Sequence, residues 1–113
     1  MDSTLIVELI KGRAPAWPRL ENDEFIMTVG SSRPLEDAWR IGQVEMVHWL
    51  GELHGIDHLD AYQLLTQISL TPIANVVDAN YSAVTKVRKS LLPEVPAYDA
   101  IHRDLRARAA GVR

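Results

Sequence analysis

The chain has no cysteine among its 113 residues, which excludes disulfide bridges, thiolate metal sites and thiol nucleophiles. It also lacks any apolar run near the roughly 18–20 residues that a membrane-spanning helix needs. The N-terminus has neither a basic region nor a small-residue cleavage site, so we expect no secretory signal. Together these absences predict a cytoplasmic protein that makes no membrane contact.

The composition is that of a small globular domain. Apolar residues make up 47% of the chain and charged residues 24%, and one domain commonly has about 100–150 residues. The net charge of −3 is unevenly spread, since residues 1–85 hold five basic and twelve acidic side chains and residues 86–113 hold seven basic and three acidic ones. A basic end can contact nucleic acid, but aromatic residues are few, so we do not expect that partner.

Four segments have the β-branched content and alternation typical of strands. They are residues 4–10, 24–29, 70–78 and 81–89. Prolines and the Asn22-Asp23 pair predict an irregular segment over residues 13–23. Pro72 restricts the third segment to a sheet edge or a strand start. In the fourth, Ala83, Thr85 and Val87 share one face.

A helical hairpin is predicted between the second and third of these segments. Pro34 suits a helix start, with Ser32 as its cap, and Gly55 suits a left-handed helix end. Asp57 then caps a shorter helix, followed by Asp60 in an arrangement like a capping box. The predicted buried residues of the first helix are Leu35, Trp39, Gly42, Met46, Trp49 or Leu50, and Leu53; those of the second are Ala61, Leu64, Leu65 and Ile68.

The predicted fold class is therefore α+β, a small β-sheet of about four strands with an inserted helical hairpin. We expect residues 1–93 to form the domain and residues 94–113 to form a basic, weakly ordered tail, with a frayed helix over residues 97–110. Sheet edges without partners favour association, so we also expect a homo-oligomer or a complex.

The strongest candidates for metal binding are His54 and His58, which are four residues apart as in a helical two-histidine site. Gly55 and the Asp57 cap break the helix between them, and no glutamate follows the first histidine. Two exposed loop histidines are therefore the favoured interpretation.

Acid–base and nucleophilic candidates have structural explanations as well. Asp57 and Asp60 suit a helix start and Asp78 suits a turn, while Ser31 and Ser32 lack the surroundings of a nucleophile elbow. The chain contains no phosphate-binding glycine loop. Trp39 and Trp49 are expected to pack on one helix face, and Trp17, flanked by prolines, to cover a pocket or a partner surface.

Several short patterns in order resemble the C-terminal portion of the acetamidase/formamidase family, amidohydrolases that cleave short linear amides to a carboxylic acid and ammonia. The resemblance extends over residues 4–93. The patterns are T-V-G at residues 28–30, D-A at 37–38, M-V-H-W-L at 46–50, a glycine hinge at 55, D-A-Y at 60–62 and N-V-V-D-A-N-Y at 75–81.

The sequence departs from the family pattern in two places. Residues 64–73 lack the serine-rich stretch and acidic run that the family commonly has there. The upstream family signature, Asp-x-His followed by Gly-x-Gly-Glu, does not occur in these 113 residues. The resemblance therefore transfers no catalytic, cofactor-binding or metal-binding residue, and a divalent metal of the full-length family would not be held by this chain.

Two functions follow as hypotheses. The first is a fragment or subunit of an amidohydrolase of formamide and acetamide, whose partner is an N-terminal amidase part carrying the catalytic motif. The second is a non-catalytic interaction or regulatory module derived from that fold. Amide hydrolysis needs a nucleophile, a proton donor and oxyanion stabilisation, and the sequence places no such set together.

Overall fold

A computed structural model describes residues 1–111, apart from the side chain of Asp99. It contains one antiparallel sheet of four strands in the spatial order β1-β2-β4-β3. The elements in chain order are β1 (Arg19–Glu21), β2 (Phe25–Ser32), α1 (Leu35–His54), α2 (His58–Ile68), β3 (Ile73–Asn75), β4 (Tyr81–Arg88), 3₁₀ turns at Lys89–Leu91 and Ala97–Ala100, and α3 (Ile101–Ala110). The predicted α+β fold with a helical hairpin inserted in a small sheet is confirmed.

The two long central strands carry the sheet. β2 and β4 pair along their whole length, from Phe25 opposite Arg88 to Ser32 opposite Tyr81. Ala83, Thr85 and Val87 of β4 are buried on one face, as their alternation predicts. The third predicted strand shortens to β3, which lies at the edge with a register shift, and Pro72 accepts a hydrogen bond there from the Val84 N–H through its carbonyl oxygen.

The prediction of a strand over residues 4–10 is wrong for this structure. That segment is not paired with any strand among residues 1–111, and Leu5, Val7 and Leu9 are almost fully exposed. The first strand of the sheet is instead β1, inside the segment predicted to be irregular. It forms because Asn22 makes a tight turn, in which its side-chain oxygen accepts hydrogen bonds from the N–H groups of Glu24 and Phe25, and β1 can fold back on β2.

The predicted end of α1 and the predicted cap of α2 are confirmed, whereas the predicted cap of α1 is wrong. Gly55 ends α1 in the left-handed conformation, at φ 64°, and the Asp57 carboxylate caps α2 by accepting a 2.9 Å hydrogen bond from the Asp60 N–H. Ser32 does not cap α1, because it is the last residue of β2 and Pro34 takes the cap position without a side-chain hydrogen bond.

The core lies between α1, α2 and the buried face of β2 and β4. It consists of Ile26, Met46, Trp49, Leu50, Ala61, Leu65, Val87 and Ala97. Trp39 is 45% exposed, so the prediction that it shares a face with Trp49 is wrong. Ten residues at about 100° each rotate the two side chains roughly 80° apart, which takes Trp39 out of the buried stripe.

The segment that follows β4 packs against this core. Ala97 is buried, and the ring of Tyr98 lies 6.2 Å from that of Trp49. The boundary at residue 93 and the weak order of residues 94–113 stay predictions. No helix among residues 1–111 is long and apolar enough to cross a membrane.

Two glycines set the distance between α1 and the sheet. A Cβ at Gly30 would overlap the Ala38 carbonyl oxygen, and one at Gly42 would lie 2.9 Å from the Thr85 hydroxyl oxygen. Two hydrogen bonds join α1 to the sheet at the same place. The Thr28 hydroxyl donates to the Gly42 carbonyl at 2.7 Å, and the Gln43 amide donates to the Thr85 hydroxyl at 3.0 Å. The helix therefore packs directly on the backbone of β2 and β4.

We expect Gly30→Ala to lower the free energy of unfolding by about 3 kcal/mol, because the added methyl group meets main chain and not a flexible side chain. Urea unfolding measures the change. Gly111→Ala is the matched control: its Cβ would lie 3.5 Å from the nearest atom, so a change below about 0.5 kcal/mol is expected. Equal stabilities of the two variants would contradict the close approach at Gly30.

Candidate functional site

The most extensive polar cluster centres on Arg19 of β1, whose side chain is only 6% exposed. Its Nε donates to Glu45 of α1 at 2.7 Å, and its Nη1 and Nη2 donate to Glu52 at 2.7 and 3.0 Å. Nη1 also donates to the Tyr98 hydroxyl at 3.2 Å, and the guanidinium lies 5.3 Å from the centre of the Trp49 ring. These residues, which we call the Arg19 cluster, join β1, α1 and the 3₁₀ turn at Ala97–Ala100.

The electrostatics of the Arg19 cluster favour fixed charges. Burial opposes the charge on Arg19, but hydrogen bonds to Glu52 and Glu45 outweigh it and raise the pKa of the guanidinium above its usual value. The hydrogen bond from Arg19 lowers the pKa of the Glu52 carboxyl. Since neither group exchanges a proton near neutral pH, the pair is suited to holding elements together and not to acid–base catalysis.

An open cleft of about 530 Å³ lies against the Arg19 cluster. Trp49, Glu52 and Leu53 of α1 form one wall, and Tyr98 with residues 95–96 forms another. Residues 12–15 close its rim. Because the donors of Arg19 are directed to protein oxygens and Trp49 is almost fully buried, the cleft offers a bound molecule mainly the Tyr98 ring, Arg13 and the partly exposed Glu52 carboxylate.

A second cleft, of about 470 Å³, lies where α1 ends. Its lining includes His54, apolar residues such as Ile26 and Leu92, and the ion pair between Lys89 and Glu21 at 2.6 Å. The Nε2 atom of His54 is buried and has no hydrogen-bond partner among the described residues. Burial lowers the pKa of this imidazole, so the ring is neutral at pH 7.

The structure places the two histidines that the sequence offered as a metal pair on different helices, and His54 is half-buried, so the interpretation of two exposed loop histidines is wrong. His54 ends α1, while the His58 ring lies 5.0 Å from that of His48. Among the described residues no group of three or more histidine, aspartate or glutamate side chains could hold a metal ion. The residues present therefore do not fit the divalent metal that the resemblance implies, and we derive no step through one.

The other candidates have structural positions at a helix cap, a turn and a strand end. Asp57 caps α2, and Asp78 lies in the turn before β4 with a φ of 72°. Ser31 accepts a weak 3.4 Å hydrogen bond from Ser82, and the Ser32 hydroxyl donates to the Arg33 carbonyl oxygen at 3.3 Å. Neither serine contacts a base among the described hydrogen bonds. Trp17 is half-buried and lines neither cleft.

Sequence reasoning missed Arg19 and Glu45. The signal for Glu45 was present, since it lies three residues after Gly42 and four before Trp49, on the buried side of α1. A carboxylate on an apolar helix face requires a cationic partner. Nothing in the sequence identified which of the arginines would supply it.

No family model and no curated protein matches the chain. The crystal structure of an acetamidase from Yersinia enterocolitica superimposes with a TM-score of 0.72 at 42% sequence identity. The match covers 75% of this chain and 26% of the acetamidase, so the chain spans about a quarter of that protein's length. The predicted resemblance to part of an acetamidase is thus confirmed, consistent with a C-terminal portion.

We expect Arg19→Met to lower the free energy of unfolding by about 3 kcal/mol, because Glu45 would stay buried without its charge partner. Adding Glu45→Met should recover most of the loss, since an apolar pair of similar size needs no charge compensation. Urea unfolding at pH 7 tests both. Arg40→Met is the control: it removes only exposed ion pairs with Glu36 and Asp37, so a change below about 1 kcal/mol is expected. A double variant as unstable as Arg19→Met would contradict this account.

The buried His54 predicts a pH dependence. The unfolded chain protonates this imidazole near its ordinary pKa of 6.5, whereas the folded state keeps it neutral to lower pH. The unfolded state then binds more protons, so the free energy of unfolding should fall as the pH drops below about 6.5. His54→Phe should remove that part of the fall, measured by urea unfolding at several pH values. The exposed-site control His58→Asn should retain it, and an unchanged fall in His54→Phe would refute the assignment.

Proposed function

We propose that this chain, whose fold and sequence match part of an acetamidase, forms the scaffold and one wall of the substrate pocket in an amidohydrolase of short linear amides. The catalytic groups come from a separate amidase polypeptide that corresponds to the part of the acetamidase not matched here. Formamide and acetamide are the proposed substrates. The observation that carries the proposal is the 42% identity over 75% of the chain, at 26% coverage of the acetamidase.

The chemistry of the described residues supports a scaffolding role. Hydrolysis of an amide needs an activated nucleophile, a proton donor for the leaving amine and stabilisation of the oxyanion. Here the guanidinium of Arg19 is bound to protein oxygens, and Glu52 is held ionised by it. Arg19 and Glu52, the two groups of the first cleft whose pKa values are shifted, therefore stabilise the fold through their mutual hydrogen bonds.

The geometry of the first cleft supports a pocket wall. Arg19 ties α1 to the 3₁₀ turn at Ala97–Ala100, so the two sides of the cleft are held at a fixed distance. The Trp49 and Tyr98 rings border it. A rigid, partly aromatic wall suits the placing of a small neutral substrate against catalytic groups on a partner.

A non-catalytic regulatory module is the second candidate. The Arg19 cluster favours this role, because its ion pairs stabilise the fold without any catalytic group. Further parts of the proposal are a cytoplasmic location, an oligomeric or complexed state and no nucleic-acid partner.

The test is ammonia release from formamide and acetamide. The purified chain alone should show no turnover. The chain should restore turnover when it is co-expressed and co-purified with the Yersinia enterocolitica acetamidase from which the matched region has been removed. The negative control is co-expression with the Gly30→Ala variant, which should fail to assemble because its fold is destabilised.

Two results would change the conclusion. Turnover by the chain alone would contradict a role limited to scaffold and pocket wall. A stable complex without turnover would favour the regulatory module.

A further inference from the structure

The N-terminal segment, residues 4–10, has no regular secondary structure and lies outside the sheet. Of the backbone hydrogen bonds among residues 1–111, none involves these seven residues. Their N–H and C=O groups therefore have no backbone partner among the described residues, as in an edge strand that lacks its neighbour.

The side chains of this N-terminal segment divide cleanly by alternation. Leu5, Val7 and Leu9 are 87%, 90% and 81% exposed, whereas Ile6 and Ile10 on the other side are 40% and 37% exposed. On that second side the Glu8 carboxylate accepts a 2.6 Å hydrogen bond from Arg108 of α3. One side of the segment is thus held toward the protein, and three large apolar side chains point away from it.

This pattern is unfavourable in an isolated chain. Burying a large apolar side chain is favourable relative to leaving it in water. The segment also carries a single charge and no proline, so it lacks the features that protect natural edge strands from pairing.

We propose that residues 4–10 form a β-strand on binding, by pairing with an exposed sheet edge of the amidase polypeptide that carries the rest of the enzyme. The backbone supplies the affinity, and Leu5, Val7 and Leu9 enter the apolar core of the partner. This inference rests on the proposed function, since it names the surface through which that complex forms.

The structure favours this occupant over a second copy of the chain. Two copies paired segment to segment would make a two-stranded ribbon, which is at best marginally stable in water. The edge strands of this chain's own sheet, β1 and β3, have only three residues each, too few to pair with the whole segment. A preformed sheet edge supplies both the neighbouring strand and an apolar layer for the three side chains. The acetamidase match leaves about three quarters of that enzyme to provide such an edge, since this chain covers 26% of it.

The experiment compares variants in the co-expressed complex with the truncated acetamidase described above. Val7→Pro removes a backbone donor within the segment, and Asp2→Pro makes the same change outside it. Because Val7 is exposed, the urea unfolding midpoint of the free chain should stay unchanged in both. Val7→Pro should weaken the complex at least about tenfold, the equivalent of one or two lost hydrogen bonds, and Asp2→Pro should not. Leu5→Ser with Leu9→Ser should weaken it as well.

Hydrogen exchange gives an independent measure. In the complex, the amides of residues 4–10 should exchange at least about tenfold more slowly than in the free chain. Full protection in a complex that releases no ammonia would support the inference while the proposed function fails.

Three results would overturn the inference. In an active complex, unprotected amides in this segment would refute it and leave the proposed function standing. Failure of the wild-type chain to bind would refute both. Protection of the segment in the chain alone, with dimers of the chain, would identify a second copy as the occupant.

Discussion

The close approach of α1 to the sheet is the constraint on which the rest of the structure depends. Gly30 and Gly42 lie where the helix crosses β2 and β4, and neither position has room for a Cβ. At this distance the Thr28 hydroxyl reaches the Gly42 carbonyl and Gln43 reaches Thr85. These hydrogen bonds provide partners for the buried polar groups. The close packing of α1 also places Met46, Trp49 and Leu50 in the core.

The Arg19 cluster joins α1 to two other parts of the chain, β1 and the turn that follows β4. Once α1 is seated, Glu45 is buried and must be paired, and the short strand β1 brings Arg19 to it at 2.7 Å. The same guanidinium holds Glu52 and Tyr98, so one side chain connects β1, α1 and the turn that follows β4. A buried pair of this kind adds little net stability compared with apolar residues, but removing one partner leaves the other charge buried and unpaired.

The sequence predicted the central strands, the helical hairpin and its caps, because each depends on residues close together in the chain. Gly55 and Asp57 act within one turn of their own positions, and the alternation of Ala83, Thr85 and Val87 reports directly on one sheet face. The errors share a different cause. Residues 4–10 have the pattern of a strand but no strand partner among residues 1–111, and β1 forms by pairing with β2. Trp39 lies about 80° from Trp49 around the helix.

The amino-acid sequence by itself determined the α+β class, the order of the main elements and the resemblance to part of an acetamidase, since periodicity, turn residues and short ordered patterns are local properties. Only the tertiary structure decided that Arg19 pairs with Glu45 and Glu52, that His54 and His58 lie on different helices, and that the N-terminal segment pairs with no strand among residues 1–111. The physical reason is that ion pairing, burial and strand pairing join residues far apart in the chain. Arg19 and Glu45 are 26 positions apart, and no local pattern encodes which distant partner a charged side chain or a strand edge will meet.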